Sequence, residues 1–108
     1  MIDLEEYSKF NQSVDKYPDS IKPVIYILGL MAELGEFCNM YKKVFRDHGG
    51  QLDKRQKEYG LEMGDIGWYF ERLAASMGYS LEEIITMNME KLQSRKDRNK
   101  IHGDGDFR

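Results

Sequence analysis

Two pairs of acidic residues have a spacing that lets each pair point at one position. Glu33 and Glu36 are three residues apart, and so are Glu62 and Asp65. On a helix, residues at i and i+3 share a face, with their β-carbons about 5–6 Å apart. Four carboxylates at one place repel one another and lose hydration, and a divalent cation relieves both penalties. Because every ligand atom would be oxygen, the pattern favours Mg²⁺, or Mn²⁺ as a substitute, over zinc.

The apolar surroundings of these acids bear on whether they are simply solvated. Acidic residues are mostly exposed on protein surfaces, and this spacing is common on helices. Glu33, however, lies between Leu30 and Phe37 in the sequence, and Asp65 lies close to Trp68. A lone buried charge is costly, so acids in an apolar stripe usually have a partner. A solvated surface and a metal site therefore remain two open interpretations of the spacing.

Other metal and nucleophile chemistries fit the sequence less well. A di-iron helical bundle uses Glu-x-x-His pairs, and neither His48 nor His102 completes one. Cys38, the only cysteine, falls on an apolar stripe of its helix, which predicts a role in core packing. A single cysteine excludes an intramolecular disulfide and favours a reducing, cytoplasmic setting.

Four helices and a polar tail are the elements expected to position these residues. The predicted helices cover about residues 3–16, 24–46, 53–77 and 80–95. Pro18 and Pro23 mark a break before the second helix, and a glycine-containing turn at 47–51 separates the second from the third. The segment Ser80–Glu83 has the form of a capping box. Residues 96–108 are expected to form a flexible or lid-like tail.

The second and third helices carry more apolar surface than one core face needs. The third helix has a stripe that steps by three and four, which is typical of a core face, comprising Tyr59, Met63, Ile66, Phe70, Leu73 and Met77. The second helix has two neighbouring stripes, a core stripe led by Ile27 and another led by Leu30. A chain of 108 residues cannot easily cover all these faces. We therefore expect a homodimer or homotetramer whose interface buries the second stripe.

Composition indicates one globular domain that spans residues 1–108. The net charge is −3 and there is no basic stripe, which argues against duplex nucleic-acid binding, including that of an antitoxin-like DNA-binding protein. No apolar run is expected to reach the roughly 20 residues of a membrane span, and the first residues lack the apolar run of a signal peptide. We therefore expect a soluble, cytoplasmic protein with no membrane partner.

Residues near the end of the chain are candidates for contacts with phosphate, the usual ligand of a carboxylate-held Mg²⁺. Leu81, Asn88, Lys91 and Arg95 fall on one stripe of the last helix, so polar residues continue an apolar face. Asn88 is either a ligand contact or a satisfied core or cap polar group, and the basic residues either meet phosphate or form a solvated face. Trp68 either stacks on a nucleobase or belongs to the core.

The order of these motifs resembles the MazG-like, all-α nucleotide pyrophosphohydrolases. The signature of that family is Glu-x-x-Glu followed one helix later by Glu-x-x-Asp. Here it reads Glu33-Leu34-Gly35-Glu36 and then Glu62-Met63-Gly64-Asp65. The resemblance extends to the segment Lys42–Asp47, to the last helix and to the tail, and so spans nearly the whole chain.

The resemblance implies an all-α, four-helix bundle completed by homo-oligomerisation. It also implies Mg²⁺-dependent hydrolysis of a nucleoside triphosphate to the monophosphate and pyrophosphate, by attack of water on the α-phosphorus. The metal ligands that it implies are Glu33, Glu36, Glu62 and Asp65. It further implies that one carboxylate activates the water. We expect this to be Glu36, which lies furthest from the core stripe led by Ile27 on the helical wheel, or else Glu33. The residues that it places near the nucleotide or its phosphates are Asn88, Lys91, Arg95 and Arg98.

One residue of the tail departs from the family pattern. Asp104 stands where the family often has serine, which argues against a phosphate-cradling role for that glycine-containing turn. The alternative function is that of a non-catalytic helical dimer that binds a nucleotide or a protein partner. The base and the sugar of the nucleotide, and whether it is a standard or a damaged one, are not specified by the sequence.

Overall fold

The structure, a computed structural model, describes residues 1–49 and 56–108, apart from the side chain of His48. Within these residues the chain is all-helical, with four α-helices, one short 3₁₀ turn and no strand. The helices are α1 (Leu4–Val14), α2 (Val24–His48), α3 (Gln56–Ser76) and α4 (Leu81–Asp97), and the 3₁₀ turn is Asp19–Ile21. The prediction of four helices is confirmed, although α2 and α4 extend slightly further than expected. The predicted start of the third helix, at residue 53, lies outside the described residues.

Local sequence explains where the helices begin and end. Asp3 caps α1, because its carboxylate accepts a hydrogen bond from the Glu6 N–H at 2.8 Å. Gly49 ends α2 with a φ of 61°, a left-handed conformation that glycine adopts at no steric cost. At the start of α4, the Glu83 N–H donates to Ser80 Oγ and the Ser80 N–H donates to the Glu83 carboxylate. The predicted capping box is therefore present.

Helix α3 is central, since it contacts each of the other three helices and packs most extensively on α2. The two helices run antiparallel. Gly29 near the start of α2 meets Tyr69 near the end of α3, whereas Phe37 packs edge-on against Tyr59 further along. The buried apolar residues of the described chain are Tyr26, Val44, Tyr59, Ala74 and Leu81.

A buried polar network fixes α1 on α3. Glu71 of α3 accepts hydrogen bonds from Ser8 Oγ and Asn11 Nδ2, both at 2.9 Å. Arg72 donates to the same carboxylate at 2.8 and 3.0 Å and lies 3.6 Å from Asp15. Burial alone would raise the pKa of Glu71, but the hydrogen bonds from Arg72 and the two α1 side chains outweigh it and hold the pKa below its ordinary value.

Most of the apolar stripe led by Ile27 is exposed, so the prediction that it forms the core is wrong, although its member Tyr41 is half-buried and packs on Tyr59. The neighbouring stripe faces α3 instead, and its member Val44 is almost fully buried. Cys38 was expected in the core with the Ile27 stripe, and it too is exposed. We call the exposed set the α2 outer face, which consists of Val24, Ile27, Leu28, Met31, Leu34 and Phe45. Periodicity identified both stripes, but both are apolar, and periodicity does not say which one meets the neighbouring helix.

The core stripe predicted for α3 is only partly confirmed. Tyr59 is buried, whereas Met63, Phe70 and Met77 are exposed. The described chain also has a radius of gyration of 17.0 Å, against about 13 Å for a compact domain of about 100 residues. A chain this extended leaves more apolar surface exposed than a compact domain does.

One segment of α2 is long and apolar enough to cross a membrane, by length and composition alone. This segment, Val24–Asp47, contradicts the expectation that no run of the chain would pass that test. Buried core helices of soluble proteins pass the same test, but this segment is mostly exposed, and the α2 outer face supplies much of its apolar character. The segment also carries Glu33 and Glu36 at its middle, where acidic side chains would be costly in lipid.

Candidate metal centre

Three carboxylates, from Glu33 of α2 and from Glu62 and Asp65 of α3, meet between the two helices. One oxygen of each lies within 4.8 Å of the others. Glu33 and Glu62 are half-buried, and Asp65 is exposed at the rim. Because α2 and α3 are antiparallel, the acidic residues of both sequence motifs reach the same level of the helix pair. The structure thus brings three of the four predicted metal ligands together, and we call these three the carboxylate cluster.

Two oxygens of the carboxylate cluster are buried and lack a hydrogen-bond partner. They are Glu33 Oε2 and Glu62 Oε2. A buried acceptor without a donor costs free energy, and most such atoms in native proteins are satisfied. A hard divalent cation takes oxygen ligands and would satisfy both atoms at once. The donor set and its orphaned oxygens therefore fit Mg²⁺ or Mn²⁺.

The electrostatics of Glu33 point in the same direction. Burial raises the pKa of its carboxyl group above the ordinary value, and the negative charges of Glu36, Asp65 and Glu62 raise it further. The charged form of Glu33 is therefore disfavoured when nothing positive is nearby. A cation among these groups would reverse the effect, because it stabilises the ionised carboxylates.

Glu36, the fourth predicted ligand, is exposed and lies outside the carboxylate cluster. It is still close enough to Glu33 for its negative charge to raise the pKa of Glu33. Glu36 lies opposite the stripe led by Ile27, but that stripe is mostly exposed and is not the core, so the reason for choosing Glu36 does not hold. The exposure of Glu36 itself nevertheless leaves its carboxylate accessible to water.

Tyr69 flanks the carboxylate cluster, one turn after Asp65. Its ring lies on Gly29, where a β-carbon would come within 2.2 Å of the ring atom Cε1. Its hydroxyl lies 3.0 Å from that of Tyr17. This hydrogen bond, together with burial, raises the pKa of Tyr69 to about 12. Sequence reasoning missed both tyrosines, although the four-residue step from Asp65 to Tyr69 was a signal that the two share a helix face.

A cavity of about 360 Å³ adjoins the tyrosine pair. Trp68 lies in its wall and packs edge-on against Tyr69, with ring centroids 5.0 Å apart. The lining residues are Val14, Lys16, Tyr17, Trp68 and Tyr69. Aromatic walls with a few polar groups are typical of sites for flat organic ligands. A larger cavity of about 520 Å³ lies beside the buried polar network of α1 and α3, and no residue of the carboxylate cluster lines it.

The predicted phosphate contacts lie on α4 and just after it, and some already have partners. Lys91 Nζ lies 3.2 Å from Asp106 Oδ1, and Arg95 Nη2 lies 3.5 Å from the same atom. Arg98 donates to a hydroxyl one turn earlier, and Asn88 is exposed, which contradicts the alternative of a core amide. Within residues 1–49 and 56–108, none of the four makes an ion pair or a hydrogen bond with the carboxylate cluster.

Comparison with known proteins identifies a relative that is similar over most of its length. The Gene 37 protein of Mycobacterium phage L5 is 40% identical over 92 residues, which cover 83% of this chain and 81% of that protein. The chain belongs to the family of this phage protein. No family model matches the chain, and no solved structure matches it. The name of the relative states no activity, so a functional proposal depends on the site and on the sequence motifs.

Proposed function

We propose that the protein is a metal-dependent nucleoside triphosphate pyrophosphohydrolase of the MazG-like kind. The main support for this proposal is that the carboxylates of Glu33, Glu62 and Asp65 lie close together and include two buried oxygens without hydrogen-bond partners. The order of the Glu-x-x-Glu and Glu-x-x-Asp motifs, and their resemblance to that family, supports a nucleotide as the substrate. The products would be the nucleoside monophosphate and pyrophosphate.

The metal set of this proposal consists of the carboxylate cluster, with Glu36 at its flank. A bound Mg²⁺ or Mn²⁺ would neutralise charge on the phosphates and on the leaving pyrophosphate. Glu33 and Glu62 would hold the ion with their buried oxygens, and Asp65 would do so from the exposed rim. Glu36 would approach from the solvent side.

In the proposed reaction, Glu36 accepts a proton from the attacking water. The water oxygen forms a bond to the α-phosphorus, the bond from that phosphorus to the bridging oxygen breaks, and pyrophosphate leaves. Glu36 suits this role because it is exposed and lies beside Glu33. Glu33 is the second candidate for the base.

The nucleoside would lie in the aromatic cavity beside the carboxylate cluster. Trp68, Tyr17 and Tyr69 line this cavity and offer aromatic rings to a nucleobase. Two of them, Trp68 and Tyr69, lie one turn of α3 after Asp65. Asn88 and Arg98 are exposed and available to the nucleotide. Lys91 and Arg95 would meet phosphate only after exchanging their present partner, Asp106.

The proposed active form is a homodimer or homotetramer in the cytoplasm. The α2 outer face is a long apolar surface on a monomer that buries few apolar residues among those described. Large exposed apolar patches mark interaction sites. The expected interface thus moves from the Leu30 stripe, which already packs on α3, to the stripe led by Ile27.

The α2 outer face also favours the alternative, a non-catalytic helical dimer that binds a nucleotide or a protein partner. Pyrophosphate release from a panel of ribo-, deoxy- and modified triphosphates, with and without Mg²⁺, distinguishes the two functions. We expect Mg²⁺-dependent release by the wild type, none by Glu62→Gln, and wild-type release by Glu90→Gln, the same chemical change at an exposed site on α4. Nucleotide binding without release by a stable oligomer would favour the alternative.

A further inference from the structure

The tail after α4 forms an ordered loop that folds back onto the helix. Arg108 holds it, because its guanidinium donates to the carbonyl oxygens of Lys100 at 3.2 Å, Ile101 at 2.8 Å and Gly105. Gly103 and Gly105 have φ values of 149° and 79°, which L side chains rarely adopt. The loop therefore has a specific conformation, determined by glycine geometry and by a single arginine.

This loop places the Asp106 carboxylate against two cations of α4. Its Oδ1 atom lies 3.2 Å from Lys91 Nζ and 3.5 Å from Arg95 Nη2, and Arg95 also donates to the Gly105 carbonyl at 3.1 Å. The hydrogen bond from Lys91, and then the charges of both cations, lower the pKa of Asp106 below its ordinary value. Asp106 is thus ionised at neutral pH and bound to both cations.

The burial of Arg95 makes this contact more than a surface ion pair. Its side chain is only 6% exposed, and a buried guanidinium needs a nearby anion. Asp106 is the only carboxylate that pairs with it in the part of the chain that the structure describes. The Asp106 side chain is 76% exposed and that of Lys91 is 37% exposed, so an anion from solvent can reach Lys91 directly and Arg95 once Asp106 moves aside. A phosphate group carries more charge and more acceptor oxygens than a carboxylate does.

We propose that Asp106 is an internal competitor for an anion site formed by Lys91 and Arg95, so that the tail closes this site until a phosphate group displaces the carboxylate. The choice of phosphate rests on the proposed function, whereas the closed site rests on the ion pairs themselves. The apparent affinity for a phosphate ligand is then reduced by the fraction of molecules whose tail is closed. Opening the tail becomes a step that precedes ligand binding at these two cations.

The experiment measures binding of inorganic pyrophosphate to the full chain by isothermal titration calorimetry, in EDTA, so that neither metal nor turnover contributes. Asp106→Asn keeps the side-chain shape and removes the competing charge. We expect this variant to bind pyrophosphate about threefold to fivefold more tightly than the wild type, the upper part of the range for exposed ion pairs, because the carboxylate is exposed while Arg95 is buried. Adding Lys91→Met to Asp106→Asn should abolish the gain.

Asp104→Asn is the matched control, since it removes the same charge from the same loop at a residue with no ion pair among those described. It should bind pyrophosphate as the wild type does, which separates competition from a general change in net charge. Arg108→Gln loosens the loop without touching the ion pair, and its affinity should rise like that of Asp106→Asn. Thermal unfolding of each variant verifies that it is folded.

Equal or weaker pyrophosphate binding by Asp106→Asn would overturn the inference, because Asp106 would then hold the cations in place without competing. The absence of measurable binding by both the variant and the wild type would overturn it as well. The proposed hydrolysis is tested separately, by turnover. Tighter pyrophosphate binding by Asp106→Asn without any turnover would support the closed site alone. Turnover without tighter binding would support hydrolysis alone.

Discussion

A β-carbon at Gly29 would lie 2.2 Å from Cε1 of Tyr69, so the tyrosine ring rests directly on the backbone of α2. Real β-carbons essentially never approach another heavy atom this closely, and any larger residue would push the ring or the helix away. Glu33 lies one turn after Gly29, and Asp65 lies one turn before Tyr69. This contact therefore sets the distance between the helices at the carboxylate cluster.

We expect Gly29→Ala to destabilise the protein. Alanine favours a helix over glycine by about 0.5–1 kcal/mol, but overpacking a tight contact costs about 1–3 kcal/mol and wins here. Thermal and urea denaturation measure the change in the free energy of unfolding. The control is Gly60→Ala on α3, where a β-carbon would meet nothing within 4 Å and stability should hold or rise. A variant of Gly29 as stable as that of Gly60 would contradict the proposed tight contact.

Removing the charge of Glu33 should stabilise the metal-free protein while abolishing its response to metal. Burial and three neighbouring acids raise the pKa of Glu33, so its ionised form is energetically unfavourable at neutral pH. Saturating Mg²⁺ should stabilise the wild type, by about 2.7 kcal/mol at one hundred times its dissociation constant. Glu33→Gln should unfold at a higher temperature than the wild type in EDTA and gain nothing from Mg²⁺.

Activity provides the second measurement of this metal requirement. Turnover should vanish in EDTA and return with Mg²⁺ or Mn²⁺. Glu90→Gln, on the exposed side of α4, should behave as the wild type in both assays. Full turnover in EDTA would refute the metal requirement.

Much of the helical architecture was predictable because its signals are local. The capping box at Ser80 and the i, i+3 acidic pairs depend on residues within one turn of each other. Periodicity alone, however, left both stripes of α2 as candidates for the core. Gly29 faces Tyr69, 40 residues further along the chain, and that contact belongs to the Leu30 side of the helix.

Two contacts at the site could not be predicted, because the residues that make them are distant in sequence. Tyr17 and Tyr69 share a hydrogen bond across 52 residues, and Lys91 meets Asp106 across 15. No local spacing encodes either contact. The sequence predicts Lys91 as a phosphate contact, and the structure adds Asp106 as a neighbour that a phosphate would have to replace.

Glu71 should make the protein sensitive to acid. Its pKa is lowered in the folded state, so its contribution to stability is present above the unfolded value of about 4.3 and is lost as pH falls through the folded value. Glu71→Gln should cost about 3 kcal/mol at pH 7, because Arg72 loses its closest carboxylate. The variant should also lose less stability than the wild type between pH 5 and pH 3. Glu58→Gln on the exposed side of α3 is the control, and a wild-type acid profile in Glu71→Gln would contradict the argument.

Charge on the α2 outer face should break the expected oligomer. Met31 is 63% exposed in the monomer, so Met31→Glu is harmless to a chain that works alone and disruptive to one that pairs through this face. Sedimentation should show the wild type at twice 12.7 kDa or more and Met31→Glu closer to a single chain. Met89→Glu on α4 is equally exposed but lies outside the face, and should sediment as the wild type. A stable 12.7 kDa wild-type monomer at micromolar concentration would contradict the predicted oligomer.

Replacing Glu36 tests which carboxylate activates water. Glu36→Gln keeps the shape and removes the basicity, and we expect kcat to fall by about 10²-fold or more, as when a general base is removed. Folding should survive, since Glu36 is exposed and the change removes one charge that disfavours ionised Glu33. The controls are the melting temperature of the variant and turnover by Glu90→Gln. A metal titration separates the two possible roles: wild-type metal affinity with low kcat identifies the base, whereas lost affinity identifies a ligand. Near wild-type turnover would place the base elsewhere, and Glu33 would be the next residue to replace.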